Sequence, residues 1–136
     1  MSGSGWWFYP AWAGVGGAIA AGIVIVSLAP PAVLPGAASV NDKLAHLFAY
    51  AALAGWNAQI LDLRRHGWLA AACVALGLGL ELAQGLTAER TPELLDGAAN
   101  VLGVVMGLLV SRSWLAGRVM RLDRWIGRRL IPRRSR

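Results

Sequence analysis

The chain is short of charge and of cysteine. Charged residues fill 15% of its 136 positions and hydrophobic residues 57%, where an ordinary soluble domain has about 25% and about 45–50%. One cysteine, Cys73, lies inside an apolar run. A lone thiol excludes a disulfide framework and a paired-thiol metal site, and Cys73 reads as a small buried hydrophobe. No basic residue precedes the first apolar run, which argues against a cleaved signal peptide, and residues 1–5 read as a flexible start. No Gly-x-Ser-x-Gly occurs, so the common serine-nucleophile motif is missing. Acids are outnumbered seven to 13 by lysine and arginine, for a net charge of +6. Nine of those 13 basic residues fall between Arg112 and Arg136. The charge is therefore a tail on an apolar body, which points away from nucleic acid as a partner.

What fills the body is four apolar stretches, at residues 11–28, 44–61, 68–86 and 94–110. Each comes close to the roughly 20 residues that span hydrocarbon, and helices are the spanning form that satisfies its own backbone in lipid. A soluble helix shows a polar face along its length, whereas here the polar residues gather at the ends of the runs. The expectation is an all-α membrane protein: a bundle of four transmembrane helices over residues 1–111, followed by a basic amphipathic tail over 112–136.

Basic residues orient such a bundle. Arg64 and Arg65, between the second and third runs, join the nine of the tail on one side, leaving Lys43 and Arg90 on the other. Both termini are then expected in the cytoplasm, with Trp6, Trp7, Tyr9 and Trp12 as an aromatic anchor at the inner interface.

In this topology the costly residues collect at the outer end. The second run opens with "NDKLAHLFAY", in which Asp42, Lys43, His46 and Tyr50 follow at helical spacings of three and four and share one broad face. The third run leaves on that side with Glu81 and Gln84, and the fourth enters with "TPELLDGAAN", bringing Glu93, Asp96 and Asn100, with Arg90 in the loop between. At about 1.5 Å per residue, Tyr50, Glu81 and Asn100 reach similar depths. A charge at the centre of a span costs about 2.5–3.5 kcal/mol, so Glu81 is expected to pair with Lys43, His46 or Arg90. Gly77, Gly79 and Gly103-x-x-x-Gly107 are expected to let the helices approach closely.

Blander readings stand beside these. Thr91-Pro92-Glu93 has the form of a helix start, with a capping hydroxyl, a first-turn proline and an acid at the positive end. Ser39-x-x-Asp42 has the form of a capping box. A single histidine such as His46 is commonly structural, and Tyr50 fits an interfacial aromatic. Glu81, Asp96 and Asn100 favour a site, because polar groups inside a membrane default to function.

Taken in order, Asp42-Lys43-x-x-His46-x-x-x-Tyr50, Glu81-x-x-Gln84, Arg90 with Asp96, and Asn100-x-x-Gly103 resemble the VanZ-like family of small bacterial membrane proteins. The match covers residues 41–107; the first run and the tail carry no part of it. The resemblance implies a polytopic protein of the bacterial inner membrane, in a family named after a member linked to teicoplanin resistance.

The tail, "RSWLAGRVMRLDRWIGRRLI", sets Leu115, Val119, Leu122, Ile126 and Leu130 on one face and Arg118, Arg121, Arg128 and Arg129 mainly elsewhere. That is the pattern of a helix lying on an anionic phospholipid surface. For the site as a whole the expected ligand is an envelope lipid or a lipid-linked glycan or cell-wall precursor, with a link to glycopeptide antibiotics. The ligand-binding set is Asp42, Lys43, His46, Tyr50, Glu81, Gln84, Arg90, Asp96 and Asn100; no cofactor and no metal signature is expected from spacing. A membrane-embedded hydrolase or transferase, and a small transporter built as a homo-oligomer, remain open.

Overall fold

The computed structural model describes residues 6–29, 42–86 and 94–131, and among them every regular element is helical. Five helices follow in order: α1 (Tyr9–Leu28), α2 (Asp42–Ile60), α3 (His66–Gly85), α4 (Leu94–Ser113) and α5 (Arg118–Leu130), with a single 3-10 turn at Leu63–Arg65 between α2 and α3. Pro10 stands in the first turn of α1, where its missing N–H costs nothing. Between α4 and α5 the chain reverses at Gly117, whose φ of 67° lies in the left-handed region that a side chain disfavours. Arg90, Ser39 and Thr91-Pro92-Glu93 lie outside the described residues, and with them the two capping readings.

The first four helices run antiparallel, each beside its predecessor. At one end the Gln84 amide of α3 donates to the Ser27 carbonyl of α1 (2.8 Å), and His46 of α2 meets Asn100 of α4 (2.9 Å). At the other end the Trp56 indole donates to the Trp12 carbonyl (3.0 Å), and the Gln59 amide reaches both the carbonyl and the hydroxyl of Ser111 (3.0 and 2.9 Å). Between these polar ends Tyr50, Leu53, Ala54, Cys73 and Val104 form the core.

The α2–α4 seam is the tightest part of the fold, because glycines let backbone meet backbone. A Cβ on Gly103 would fall on the Leu47 carbonyl, and one on Gly107 would fall on that of Ala51 and 2.8 Å from the Gly55 nitrogen. Gly103-x-x-x-Gly107 thus pairs within the chain, against the 47, 51, 55 ridge of α2.

Among the described residues, three helical segments are long and apolar enough to cross a membrane: Tyr9–Leu28, Leu63–Gly85 and Leu95–Ser113. α2 falls short, since Asp42, Lys43, His46, Asn57 and Gln59 dilute its apolar residues. Burial departs from that of a soluble domain. Ile25, Phe48, Leu78, Leu82, Leu102 and Leu109 are exposed, while Glu81, Gln84, Asp96, Asn100 and Ser111 are buried. A large apolar exterior, with polar groups buried at both ends of a small apolar core, marks a membrane protein.

Candidate functional site

Helix geometry brings three elements together at the end where α2 and α4 begin and α3 finishes. Asp42, Lys43, His46 and Tyr50 descend one side of α2 at intervals of one turn or less. Glu81 and Gln84 stand on the last turns of α3, and Asp96 and Asn100 on the first turns of α4.

His46 is the hub. Its Nδ1 lies 2.9 Å from Asn100 Oδ1 and 4.0 Å from Glu81 Oε1, and its Nε2 lies 3.9 Å from Asp42 Oδ1. With the carboxamide oxygen facing it, the imidazole must donate, which puts a proton on Nδ1. Asn100 is 2% exposed, so this hydrogen bond is shielded from water on its side. Lys43 on the neighbouring turn sends Nζ to within 3.6 Å of Asp96 Oδ1. Asp96 is 7% exposed, and its Oδ1 accepts no hydrogen bond. A buried carboxylate oxygen without a donor is costly, so this atom is held chiefly by charge.

One turn further in, Tyr50 closes the floor. It is 2% exposed, which makes it an interior residue and not an interfacial one. A Cβ on Gly77 would lie 2.9 Å from Asn100 Nδ2 and 3.2 Å from the Tyr50 hydroxyl. The missing side chain of Gly77 is what admits both polar groups. Gly79, expected to help the approach, has nothing within 4 Å of its would-be Cβ and plays no part in it.

The structure therefore gathers Asp42, Lys43, His46, Tyr50, Glu81, Asp96 and Asn100 into one cluster. Gln84 is buried at the same end but turns its amide towards α1, bonding Ser27. Arg90 is outside the described residues. Of the partners expected for Glu81, His46 is at salt-bridge distance.

A second polar centre, which sequence reasoning missed, lies at the opposite end. Asp123 of α5 is fully buried. It accepts from the backbone N–H groups of Trp7 (2.7 Å) and Phe8 (2.9 Å) and from the Trp12 indole (2.8 Å). The start of α1 has no cap from its own side chains, and Asp123 supplies one from the far end of the chain. Burial alone would push its carboxyl up; the three hydrogen bonds and nearby Arg124 outweigh that and hold it below the usual carboxylate range. The Trp7 ring packs against Gly127, one turn along α5, in space that a Cβ there would occupy. The tail helix is thus docked through Asp123 and Gly127, while Leu122 and Leu130 of the expected apolar face stay exposed. The signal available in the sequence was a single acid among arginines, one turn before a glycine.

Comparisons with protein-family models, curated proteins and solved structures return no match for this chain. The resemblance to the VanZ-like family rests on the ordered residues alone.

Proposed function

We propose that this is a VanZ-like integral membrane protein whose four long helices all span the bilayer and whose polar cluster binds the head of an envelope lipid, a lipid-linked glycan or cell-wall precursor. The observation that carries this reading is the meeting of Asp42, His46, Glu81, Asp96 and Asn100 from three helices at the same end as exposed Leu44, Phe48, Leu82 and Leu95. A molecule with a polar head and apolar chains fits a polar recess with an apolar outer wall. Carboxylates and a carboxamide suit sugar hydroxyls and peptide N–H or ammonium groups.

α2 spans in spite of its polar residues because it is the central helix. His46 and Tyr50 turn towards α3 and α4, and the charged Asp42 and Lys43 stand in its first turn, at the end of the span, so lipid-scale hydropathy understates its fitness for the bilayer. The basic side faces the cytoplasm by the positive-inside rule, which turns the cluster outwards. α5 lies along the inner surface. Arg129 stacks over Trp125 at 4.4 Å and Arg118 over Trp114 at 5.4 Å, and both tryptophans are exposed, an arrangement suited to an anionic phospholipid headgroup layer.

Native mass spectrometry of protein extracted with its own lipids tests the pocket. Wild-type protein is expected to retain a lipid with a glycan or peptide head, which Glu81→Ala loses while keeping its helical circular dichroism. A folded Glu81→Ala protein with an unchanged lipid load overturns the reading.

A hydrolase or transferase reading draws on one specific observation, the Asn100-oriented imidazole of His46, which is the posture of a general base. Turnover of labelled precursor by the purified protein, lost in His46→Gln, would favour it over simple binding.

A further inference from the structure

We propose that Asp42, His46 and Asp96 form a binding site for a divalent transition-metal ion of the zinc or manganese type. The proposal stands apart from the lipid reading, because it concerns the protein and the ion alone. Each of the three residues offers one ligand atom, and the three atoms lie within 4.8 Å of one another. Ions of this class bind nitrogen and oxygen at about 2.0–2.2 Å, so their ligands stand about 3–4 Å apart. The cluster needs to contract by roughly 1 Å to meet that geometry. Asp42, exposed in the first turn of α2, has the freedom to supply the movement.

Two further features point to a cation. The first is the orientation of His46. Its Nδ1 proton is committed to Asn100, which leaves the Nε2 lone pair facing Asp42. Metal-binding histidines are held in this way, by a hydrogen bond at the nitrogen that does not bind. The second is Asp96 Oδ1, a buried carboxylate oxygen that accepts no hydrogen bond. Lys43, 3.6 Å away with its side chain 42% exposed, gives it a charge but no hydrogen bond. An ion between Asp96 and His46 would give it a direct bond.

Charge balance agrees. Two carboxylates and a neutral imidazole around a dication sum to zero, the state that a low-dielectric surrounding favours. One nitrogen and two oxygens select a borderline ion, not calcium or magnesium, which prefer all-oxygen shells. Three protein ligands leave a coordination position open to water or to an oxygen of a bound molecule. Lys43 competes with the ion for Asp96 and swings away when it binds.

The test uses the full chain in detergent, stripped with chelator and titrated separately with Zn2+ and Mn2+, with bound ion read by elemental analysis after desalting. Stoichiometric binding of one of the two is expected, weakened tenfold or more by His46→Gln and by Asp96→Asn, and strengthened by Lys43→Met. Bound Mn2+ is expected to show nitrogen hyperfine coupling by pulsed electron paramagnetic resonance, absent in His46→Gln. Should Asp96→Asn fail to fold, Asp42→Asn, at an exposed position, serves in its place. Folded wild-type protein that binds neither ion stoichiometrically, or binding that survives His46→Gln together with Asp42→Asn, overturns the proposal.

Discussion

Asp123 and Trp7, 116 residues apart, are joined by a 2.7 Å hydrogen bond from the Trp7 backbone N–H to the Asp123 carboxylate. The contact turns the last helix into the cap of the first. Helix starts leave N–H groups without partners inside the helix, and α1 opens on Phe8 and Tyr9, neither of which can cap it. The cap comes instead from an acid that α4 and the Gly117 turn deliver to the right place.

Replacing that acid should release the tail. Hydrogen bonds to a charged group contribute about 1.5–3 kcal/mol each, and Asp123→Ala removes three while leaving two backbone donors without their partner. We expect α5 to undock while α1 to α4 stay folded. Limited trypsin digestion reads this directly, because α5 carries Arg118, Arg121, Arg124, Arg128 and Arg129. Faster cleavage there in Asp123→Ala is the expected result; an unchanged rate would show that Gly127 against Trp7 is sufficient.

The same contact sets a pH window. The Asp123 carboxyl titrates below its ordinary value of 3.8 in the folded protein, so folded protein binds its proton less readily than unfolded protein does. Its stabilising contribution is therefore complete above the ordinary value and disappears as pH falls through the lower folded one. Spin labels on α1 and α5 should keep a constant separation from neutral pH down to the usual carboxylate range and move apart only in stronger acid. Separation near pH 6 would contradict the assignment.

Glycines on this fold divide into two kinds, and substitution separates them. Gly107→Val drives a side chain into the Ala51 carbonyl and the Gly55 nitrogen, both backbone atoms with little freedom to yield. Overpacking of this kind costs about 1–3 kcal/mol or more. Gly79→Ala meets open space and should be neutral or stabilising by up to about 1 kcal/mol, through helix propensity. Thermal unfolding in one detergent, followed by circular dichroism, gives the order Gly79→Ala, wild type, Gly107→Val from most to least stable.

Gly77 tests the polar cluster without touching any of its polar groups. Alanine there places a methyl 2.9 Å from the Asn100 amide and 3.2 Å from the Tyr50 hydroxyl. Asn100 must give way, which disturbs the bond to His46, worth about 0.5–1.5 kcal/mol. We expect Gly77→Ala to keep the helical fold and to lose part of whatever the cluster binds. Lipid load measured by mass spectrometry, alongside the melting temperature, distinguishes a disturbed site from a disturbed fold.

What the sequence made legible was local or periodic. Turn-by-turn spacing places Asp42, Lys43 and His46 on one face of α2, and alternation of direction along four apolar runs brings Glu81 and Asp96 to the same end. Neither inference needs side-chain packing. Asp123 was not legible, because its partners are backbone N–H groups more than a hundred residues away, and periodicity carries no information about such pairs. Its surroundings gave no hint of it: Leu115, Val119, Leu122, Ile126 and Leu130 mark the apolar face of a surface helix, whereas Gly127 and Asp123 make the contact with the Trp7 ring and the α1 terminus. Gly77 and Gly79 looked equivalent in "LGLGLELAQGL". Only the rotation of α3 against Tyr50 and Asn100 separates them.

Orientation is the remaining prediction, and it decides what the cluster can meet. Cysteine labelling on whole cells suits this chain, because Cys73 is 3% exposed within the core and should stay silent. Leu86→Cys places a thiol at the exposed end of α3 beside the polar cluster, while Leu63→Cys and Trp114→Cys place exposed thiols at the opposite end. With arginine-rich segments held inside, a membrane-impermeant maleimide should label Leu86→Cys on intact cells. The other two should react only after permeabilisation. Inverted labelling would turn the cluster towards the cytoplasm. Labelling of all three from one side would show that α3 and α4 do not cross at all.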